Sequence, residues 1–338
     1  MAVYLGDINT RARGLRTHLL PASDLERLAR ATSLLALQRE LSGLGYVRSD
    51  APATAMSLEK AIRRYAASQM GILDRWCTDD RRAVLAVIFE DEDRRSIQAI
   101  LRGAQQATAT EARMAGLIPT TSLPERALLT LASQPTPTDV IRMLALWNHP
   151  FGAPLVAAVS GPHPSLFEIE VELQRAFARR VSARAHEGGS HLVEYVEQVI
   201  DSMNAWSALL HFVERDSSIV DLTFVEGGRW LTRDVFHKLM NLDTRPQVEK
   251  RLAWELRTSA LAGAFRDGLE DLAQLESAML RAQIDWQNRA VRVDPSGAAP
   301  IIGFAIELRA QVLNLRAIIW GVALRAPAAL IQSEMVVA

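Results

Sequence analysis

The chain reads as an all-α protein of many helices of ordinary length, and three observations carry that reading. Apolar residues recur at helical spacing nearly everywhere, alternating runs of β-branched residues are scarce, and the Gly- and Pro-rich breaks fall between the periodic stretches. Leu25, Leu28, Leu35 and the stretch through Leu41 form one amphipathic pattern, closed by Gly43 and Gly45. Leu192, Val193, Val196, Val199 and Ile200 line one face ahead of Asp201. From Glu307 onward, Leu308, Val312, Leu315, Ile319 and Val322 make another stripe. The best strand candidate is Ile219 to Val225, and it is short. Breaks are expected at Ser49 to Pro52, Pro135 to Pro137, Gly161 to Pro164, Gly188-Gly189 and Asp294 to Pro300.

With 338 residues, 49% of them hydrophobic, the chain can bury a sizeable core, and length alone suggests two or three domains. The 38 Lys+Arg against 39 Asp+Glu leave a net charge of −1, so no global field draws nucleic acid or an anionic membrane. The lone Cys77 excludes an internal disulfide framework or cysteine zinc site and suits a reducing compartment. Its acidic neighbours Asp74, Asp79 and Asp80 are expected to raise its pKa and leave it inert. The longest uncharged stretch, Met143 to Phe167, is broken by four prolines, and the apolar run Ile318 to Leu324 is far too short to span a bilayer. Asp7 and Arg11 precede any long apolar stretch, so a secretory signal is not expected and the chain reads as soluble and cytoplasmic.

A repeat emerges when polar residues inside the helices are aligned. Asp93-Arg-Arg-Ser96, Asp201-Ser-Met-Asn204 and Gln311-Val-Leu-Asn314 each precede an apolar pair, with their last residues 108 and 110 positions apart. Upstream of each stands a second element: Leu58-Glu59, Ile169-Glu170 and Leu275-Glu276. After the first two come a turn and another helix, at Leu117-Ile118-Pro119 leading to Leu123-Pro124-Glu125 and at Phe224 to Gly228 leading to Leu231. The third unit ends before supplying that helix, and Leu20-Pro21-Ala22 resembles Leu123-Pro124-Glu125. The expected units are therefore 52–161, 162–266, and 267–338 completed by 1–51, three helical lobes around an axis. Residues three apart share a helix face, so each polar pair is suited to fastening a neighbouring segment or to touching a partner.

These residues resemble a family, the C subunit of A-type and bacterial V-type ATPases, whose eukaryotic V-ATPase counterpart is the d subunit. The resemblance is carried by Tyr4, Asn9, Arg11, Arg13, Gly14 and Leu19-Leu20; by Asp93 through Ile100-Leu101-Arg102-Gly103 with Gly116 to Pro119; by Ile200-Asp201 and Asn204 with Glu226-Gly227-Gly228; and by Asn314-Leu315-Arg316. It spans the whole chain in the right order. Ser96 replaces the expected Asn, Thr120-Thr121 stands where two glycines are usual, and Gln311 replaces an acid.

The resemblance implies a funnel-like, non-catalytic rotor adaptor joining the central axle subunits to the membrane ion-carrying ring, peripheral to the membrane. It implies no bound cofactor, nucleic acid or small-molecule substrate. The candidate partner-contact or lobe-fastening residues are Arg11, Arg13, Asp93, Arg102, Asp201, Asn204, Gln311, Asn314 and Arg316. The alternative is an unrelated helical scaffold, an open stack with distant ends.

Nothing in the sequence points to catalysis. His186 and His191 flank Glu187-Gly188-Gly189-Ser190, which reads as an exposed turn rather than a metal site. Gly227-Gly228 lacks the Lys-Ser/Thr of a phosphate loop and reads as a turn, as does Ser160 to Pro164. Arg81-Arg82 and Arg94-Arg95, interleaved with Asp79-Asp80 and Glu90 to Asp93, read as a solvated helix face. The dispersed tryptophans suit core or rim anchors better than a base-stacking platform.

Overall fold

The computed structural model describes residues 4–50, 52–77, 80–160, 165–214, 223–266 and 272–336. Seventeen helices and no strand occur among them. In chain order they are α1 Gly6–Arg16, α2 Ala22–Ala29, α3 Leu34–Gly43, α4 Ala55–Trp76, α5 Asp80–Gln105 and α6 Thr110–Arg113. Next come α7 Glu125–Ala132, α8 Pro137–Leu146, α9 Gly152–Ala158, α10 Leu166–Glu187, α11 Ser190–Glu214 and α12 Arg233–Met240. The last are α13 Arg245–Glu255, α14 Ala262–Phe265, α15 Leu272–Val293, α16 Ala299–Ala323 and α17 Ala328–Ser333.

Local chemistry explains the boundaries. Thr54 and Ser33 cap α4 and α3 by accepting from the amides of Ser57 and Ala36, both at 3.2 Å. Ser165 and Glu168 close a capping box on α10. Pro137 opens α8, where its missing N–H is no loss. Between α10 and α11, Gly189 takes φ +90°, a conformation that turns the chain where a side chain would strain it. The single pattern expected from Leu25 to Leu41 is in fact two helices. The chain breaks at Arg30 to Ser33, so Leu35 is 49% exposed while Leu37 and Leu41 are buried. The expected strand Ile219 to Val225 lies outside the described residues up to 222, and Thr223 to Val225 form no strand. The turn expected at Gly161 to Pro164 also lies outside them.

Six long helices organise the rest. α10 packs along α5, α11 and α9, while α16 packs along α15, α4 and α1. Each of α5, α11 and α16 also carries shorter helices: α6 to α8 on α5, α12 and α13 on α11, and α2, α3 and α17 on α16. α16 thus takes its short neighbours from both ends of the chain, and α2 touches α17. The predicted stripes are core: Leu308, Leu315 and Ile319 are buried, as are Leu192, Val196, Val199 and Ile200. Burying each such side chain contributes about 1.5–3 kcal/mol. One apolar cluster runs through α1 to α5, α7 to α10, the first half of α11 and α16. A second joins the later half of α11 to α12, α13, α14 and the start of α15.

Candidate functional site

The polar repeat residues all point inward. Asn204 Nδ2 donates to the Val225 carbonyl and its Oδ1 accepts from the Val225 amide, both at 2.9 Å. Asn314 makes the same pair with Val336, donating at 2.9 Å and accepting at 2.6 Å. Asp201 accepts from the amides of Arg229, Trp230 and Leu231, the last at 2.9 Å. Gln311 Oε1 accepts from the amide of Leu20 at 2.6 Å, across 291 positions of sequence.

The departures noted in the first unit have a physical account. Thr120 Oγ1 donates to Asp93 at 2.5 Å and accepts from the Leu123 amide, and Ser122 Oγ also donates to Asp93. Hydroxyls there bridge to the backbone that Asp201 reaches directly. Direct reach needs glycine: a Cβ on Gly228 would lie 2.3 Å from Asp201 Oδ1, and Gly227 takes φ +108°. Ser96, in place of an amide, leaves its buried Oγ without a partner among the described residues.

The arginines lie differently. Arg11 stacks on Trp76, its guanidinium carbon 3.3 Å from the ring centre. Arg13 donates to the Pro295 carbonyl at 2.7 Å, beside Asn9, which donates to Ser296 and Gly297 carbonyls. Arg102 forks onto Glu170, both bonds 2.7 Å, and Arg316 Nε stands 3.4 Å from Glu59.

Glu59, Glu170 and Glu276 are the acids of the upstream repeat element, and they are not equally held. Glu59 accepts from Trp320 Nε1 at 2.9 Å and from the Gly116 amide at 3.2 Å. Glu170 accepts from Gln98 at 2.9 Å in addition to Arg102. Glu276 has Arg95 Nη1 at 3.9 Å and accepts no hydrogen bond from a described residue.

At the heart of the long helices is a buried ion cluster. Asp91, fully buried, accepts from Arg94 at 2.7 Å, Tyr195 at 2.8 Å, Arg95 at 3.2 Å and Arg309 at 3.3 Å. Arg309 Nε and Nη2 both donate to Glu92 Oε2, at 3.0 and 2.6 Å, and Arg180 forks onto the two oxygens of Glu90 at 3.0 and 2.9 Å. Burial would raise the Asp91 carboxyl, but Arg95, Arg94 and Arg309 outweigh it and hold it far below the usual range. Burial would lower Arg309, and Glu92 and Asp91 outweigh that to raise it. Burial, then Asp91, pushes the Tyr195 hydroxyl upward.

The solvated face expected across Glu90 to Arg95 is therefore corrected: Glu90 to Arg94 are buried. These charges sit one turn beyond Val87 and Ile88 on α5, so helical geometry carries Asp91 into the core. A signal existed in the lone Arg309 between Leu308 and Val312, since a cation within an apolar stripe must be paired. Arg81, by contrast, sits near the surface on Asp7 at 2.8 Å.

A cavity of about 380 Å³ opens over this cluster, between α5, α10, α11 and α15. Phe167, Met203, Trp206, Met279 and Leu280 wall it, while Arg94, Arg95, Arg102 and Arg309 line its charged side. A second concavity, of about 1050 Å³, lies along the C-terminal half of α15 and is lined by Arg16, Arg257, Arg266, Arg289 and Arg292 against one acid, Asp285. Among the described residues no group of three His, Cys, Asp or Glu is arranged to hold a metal. His191 faces Asp294 at 3.6 Å. Cys77 is buried with its thiol on the Leu73 carbonyl, and burial first, Asp74 second, raise its pKa to about 12. The contacts of the ion cluster tie the long helices to one another.

Comparison with known proteins places this geometry in context. The profile of the family described as ATP synthase (C/AC39) subunit matches residues 8–334. The chain is 26% identical over 339 residues to the C subunit of the V-type ATP synthase of Thermus thermophilus, covering 99% of each chain. It is 24% identical over 331 residues to the C subunit of the A-type ATP synthase of Methanocaldococcus jannaschii, covering 93% of this chain and 82% of that one. The corresponding A-type C subunit of Haloquadratum walsbyi is 22% identical over 296 residues, with 84% and 82% covered.

Proposed function

The chain belongs to the ATP synthase (C/AC39) subunit family, and from that premise we propose that it is a non-catalytic rotor adaptor of a V/A-type ATPase. It links the central axle subunits to the membrane ion-carrying ring and passes torque between ATP turnover and ion transport. The observation that carries this reading is the family match across residues 8–334.

Torque transmission needs a body that does not unwind, and the bracing suits that task. α4 and α16 are tied through Glu59, α5 and α10 through Glu170 and Glu90, and α5, α11 and α16 through Asp91. Asp93, Asp201, Asn204, Gln311 and Asn314 are fasteners on this reading, and Arg11, Arg13, Arg102 and Arg316 lie nearer the surface. The cavity over the ion cluster is the socket for the axle.

The lobes are 52–161, 162–266, and 267–338 with 1–51, closed around an axis as a funnel. Supporting this, the Leu20 amide bonds Gln311 as the Leu231 amide bonds Asp201. No helix among the described residues is long and apolar enough to cross a membrane. The adaptor is peripheral and holds the ring by protein contact. An unrelated open scaffold calls for distant ends, whereas α2 and α17 touch.

Co-expression with the axle and ring subunits of its own complex tests the reading. The chain is expected to purify with both and to couple them. Failure to associate with either, with the chain folded, would sink it.

A further inference from the structure

We propose that the arginine-walled groove along the C-terminal half of α15 docks an acidic segment of a protein partner. The groove is separate from the cavity over the ion cluster, and the assignment goes beyond the adaptor reading without resting on it.

The two walls carry the same charge. Arg289 and Arg292 stand one turn apart on α15, and Arg257 and Arg266 line the facing wall, just beyond α13 and α14. All four are exposed, and none forms an ion pair with a described residue. Arg257 instead donates to the Trp254 carbonyl at 2.6 Å and stacks on that ring at 3.9 Å, and Arg289 lies 5.5 Å from the Trp286 ring centre. The fifth arginine, Arg16, is neutralised by Glu307. Asp285 is the one acid of the lining, exposed and without an ion pair among the described residues. The chain as a whole is balanced at a net charge of −1, so this excess of cations is local.

Helix ends explain only part of it. A helix C-terminus carries about half a negative charge, so the ends of α13 and α15 offset about one cation between them. With Asp285 counted as well, the groove stays cationic. Arginines facing each other across one groove repel until an anion lies between them.

Shape selects the anion. Ala282 to Arg292 run about 15 Å along α15, room for about four or five extended residues. A volume of about 1050 Å³ is far more than one inorganic anion fills. Ala262 and Gly263 keep the facing wall low, and a Cβ on Gly263 would lie 3.7 Å from that of Ala282, across the groove. Trp286 and Val291 add apolar surface between the guanidiniums, which pair with carboxylates in forks. A flat anionic bilayer meets the rim of such a groove and not its walls, whereas a peptide carrying several carboxylates enters it. The adjoining hollow shares Thr258, Ser259 and Trp286 and carries Glu194 and Glu197. The acids of the segment therefore lie toward Arg292 and away from Glu197.

A fluorescein-labelled glutamate-rich peptide, titrated into the intact chain at physiological salt and read by fluorescence anisotropy, tests the assignment. Arg257→Glu with Arg292→Glu, one change in each wall, is expected to weaken binding roughly tenfold or more. The unfolding midpoint should stay unchanged, because both side chains are exposed. Arg30→Glu with Arg39→Glu makes the same change in net charge at exposed arginines elsewhere and should bind at wild-type strength. Gly263→Leu fills the groove without altering charge and should also weaken binding, which a diffuse field would not produce. Wild-type affinity in the Arg257/Arg292 or Gly263 variant overturns the proposal, as does equal weakening in the Arg30/Arg39 control. Binding of phosphatidylserine vesicles through Arg257 and Arg292 in place of the peptide overturns it too. Asp267, Glu270 and Asp271 follow Arg266 in sequence and lie outside the described residues. A large gain in peptide affinity on changing them to Asn, Gln and Asn would assign the groove to the chain's own acids and overturn the partner.

Discussion

Asn204 grips Val225 with both ends of its amide, donating to the carbonyl and accepting from the N–H at 2.9 Å each, and it does so fully buried. Val225 lies 21 positions downstream, and Asn314 repeats the grip on Val336 22 positions downstream. Such a side chain substitutes for a strand partner, satisfying a loop that has no secondary structure of its own.

Replacing Asn204 by Ala strands both backbone groups of Val225 in the core. We expect a loss of ~2–4 kcal/mol in unfolding free energy, since each buried unsatisfied group costs about 1–3 kcal/mol. Asn314→Ala should behave alike at Val336. Urea unfolding of the isolated chain checks both; a change within error at either site would contradict the fastening role.

Arg309 is the hub of the ion cluster. Arg309→Leu leaves Asp91 and Glu92 buried without one of their cations and is expected to destabilise by about 3–5 kcal/mol. Arg309→Lys should recover only part, because one ammonium cannot fork onto two carboxylates as a guanidinium does. Full recovery by lysine, read from denaturant midpoints, would contradict the bridging of Asp91 and Glu92 by one guanidinium.

Burial raises the Asp201 carboxyl from 3.8 to about 6. Between those values the folded chain holds a proton that the unfolded chain has released. The stability tied to this group is thus full below about pH 4 and is lost as pH rises through about 6. The loss is up to about 3 kcal/mol at about 1.4 kcal/mol per pH unit. Asp91, held below its usual value, acts in the opposite sense: its contribution is full above about pH 4 and lost as pH falls further. Urea midpoints of wild type and Asp201→Asn at pH 4 to 7 should show wild type losing ground to the variant as pH rises. A pH-independent difference would refute this.

Cys77, buried and with its thiol raised to about 12, should stay unmodified by a thiol reagent at pH 8 while folded and react fully in denaturant. Rapid labelling of the native chain would show that its environment opens.

Much of this was legible beforehand. The stripes on α11 and α16 appear in the sequence because a helix buries every third or fourth residue, and the polar triplets Asp201 to Asn204 and Gln311 to Asn314 stand out as polar breaks in such stripes. Even a link between Leu20 and the helix of Gln311 was suggested by the Leu-Pro patterns. The boundary at Arg30 to Ser33 could not, because its apolar spacing runs on across the break. The Gly227-Gly228 turn was visible, though its purpose, letting backbone amides close on Asp201, was not.

The sequence by itself determined the helices, most of their breaks and the polar repeat, since these depend on local spacing and on backbone chemistry carried by each residue. Only the tertiary structure decided which charges are buried and which stay exposed. Glu90 to Arg94 look like solvent-facing residues until α10, α11 and α16 close over them, and Glu276 looks like Glu59 and Glu170 until its side chain is seen to be 66% exposed against 13% for each of those. A charge's role is set by what packs opposite it, and that partner lies tens to hundreds of positions away along the chain.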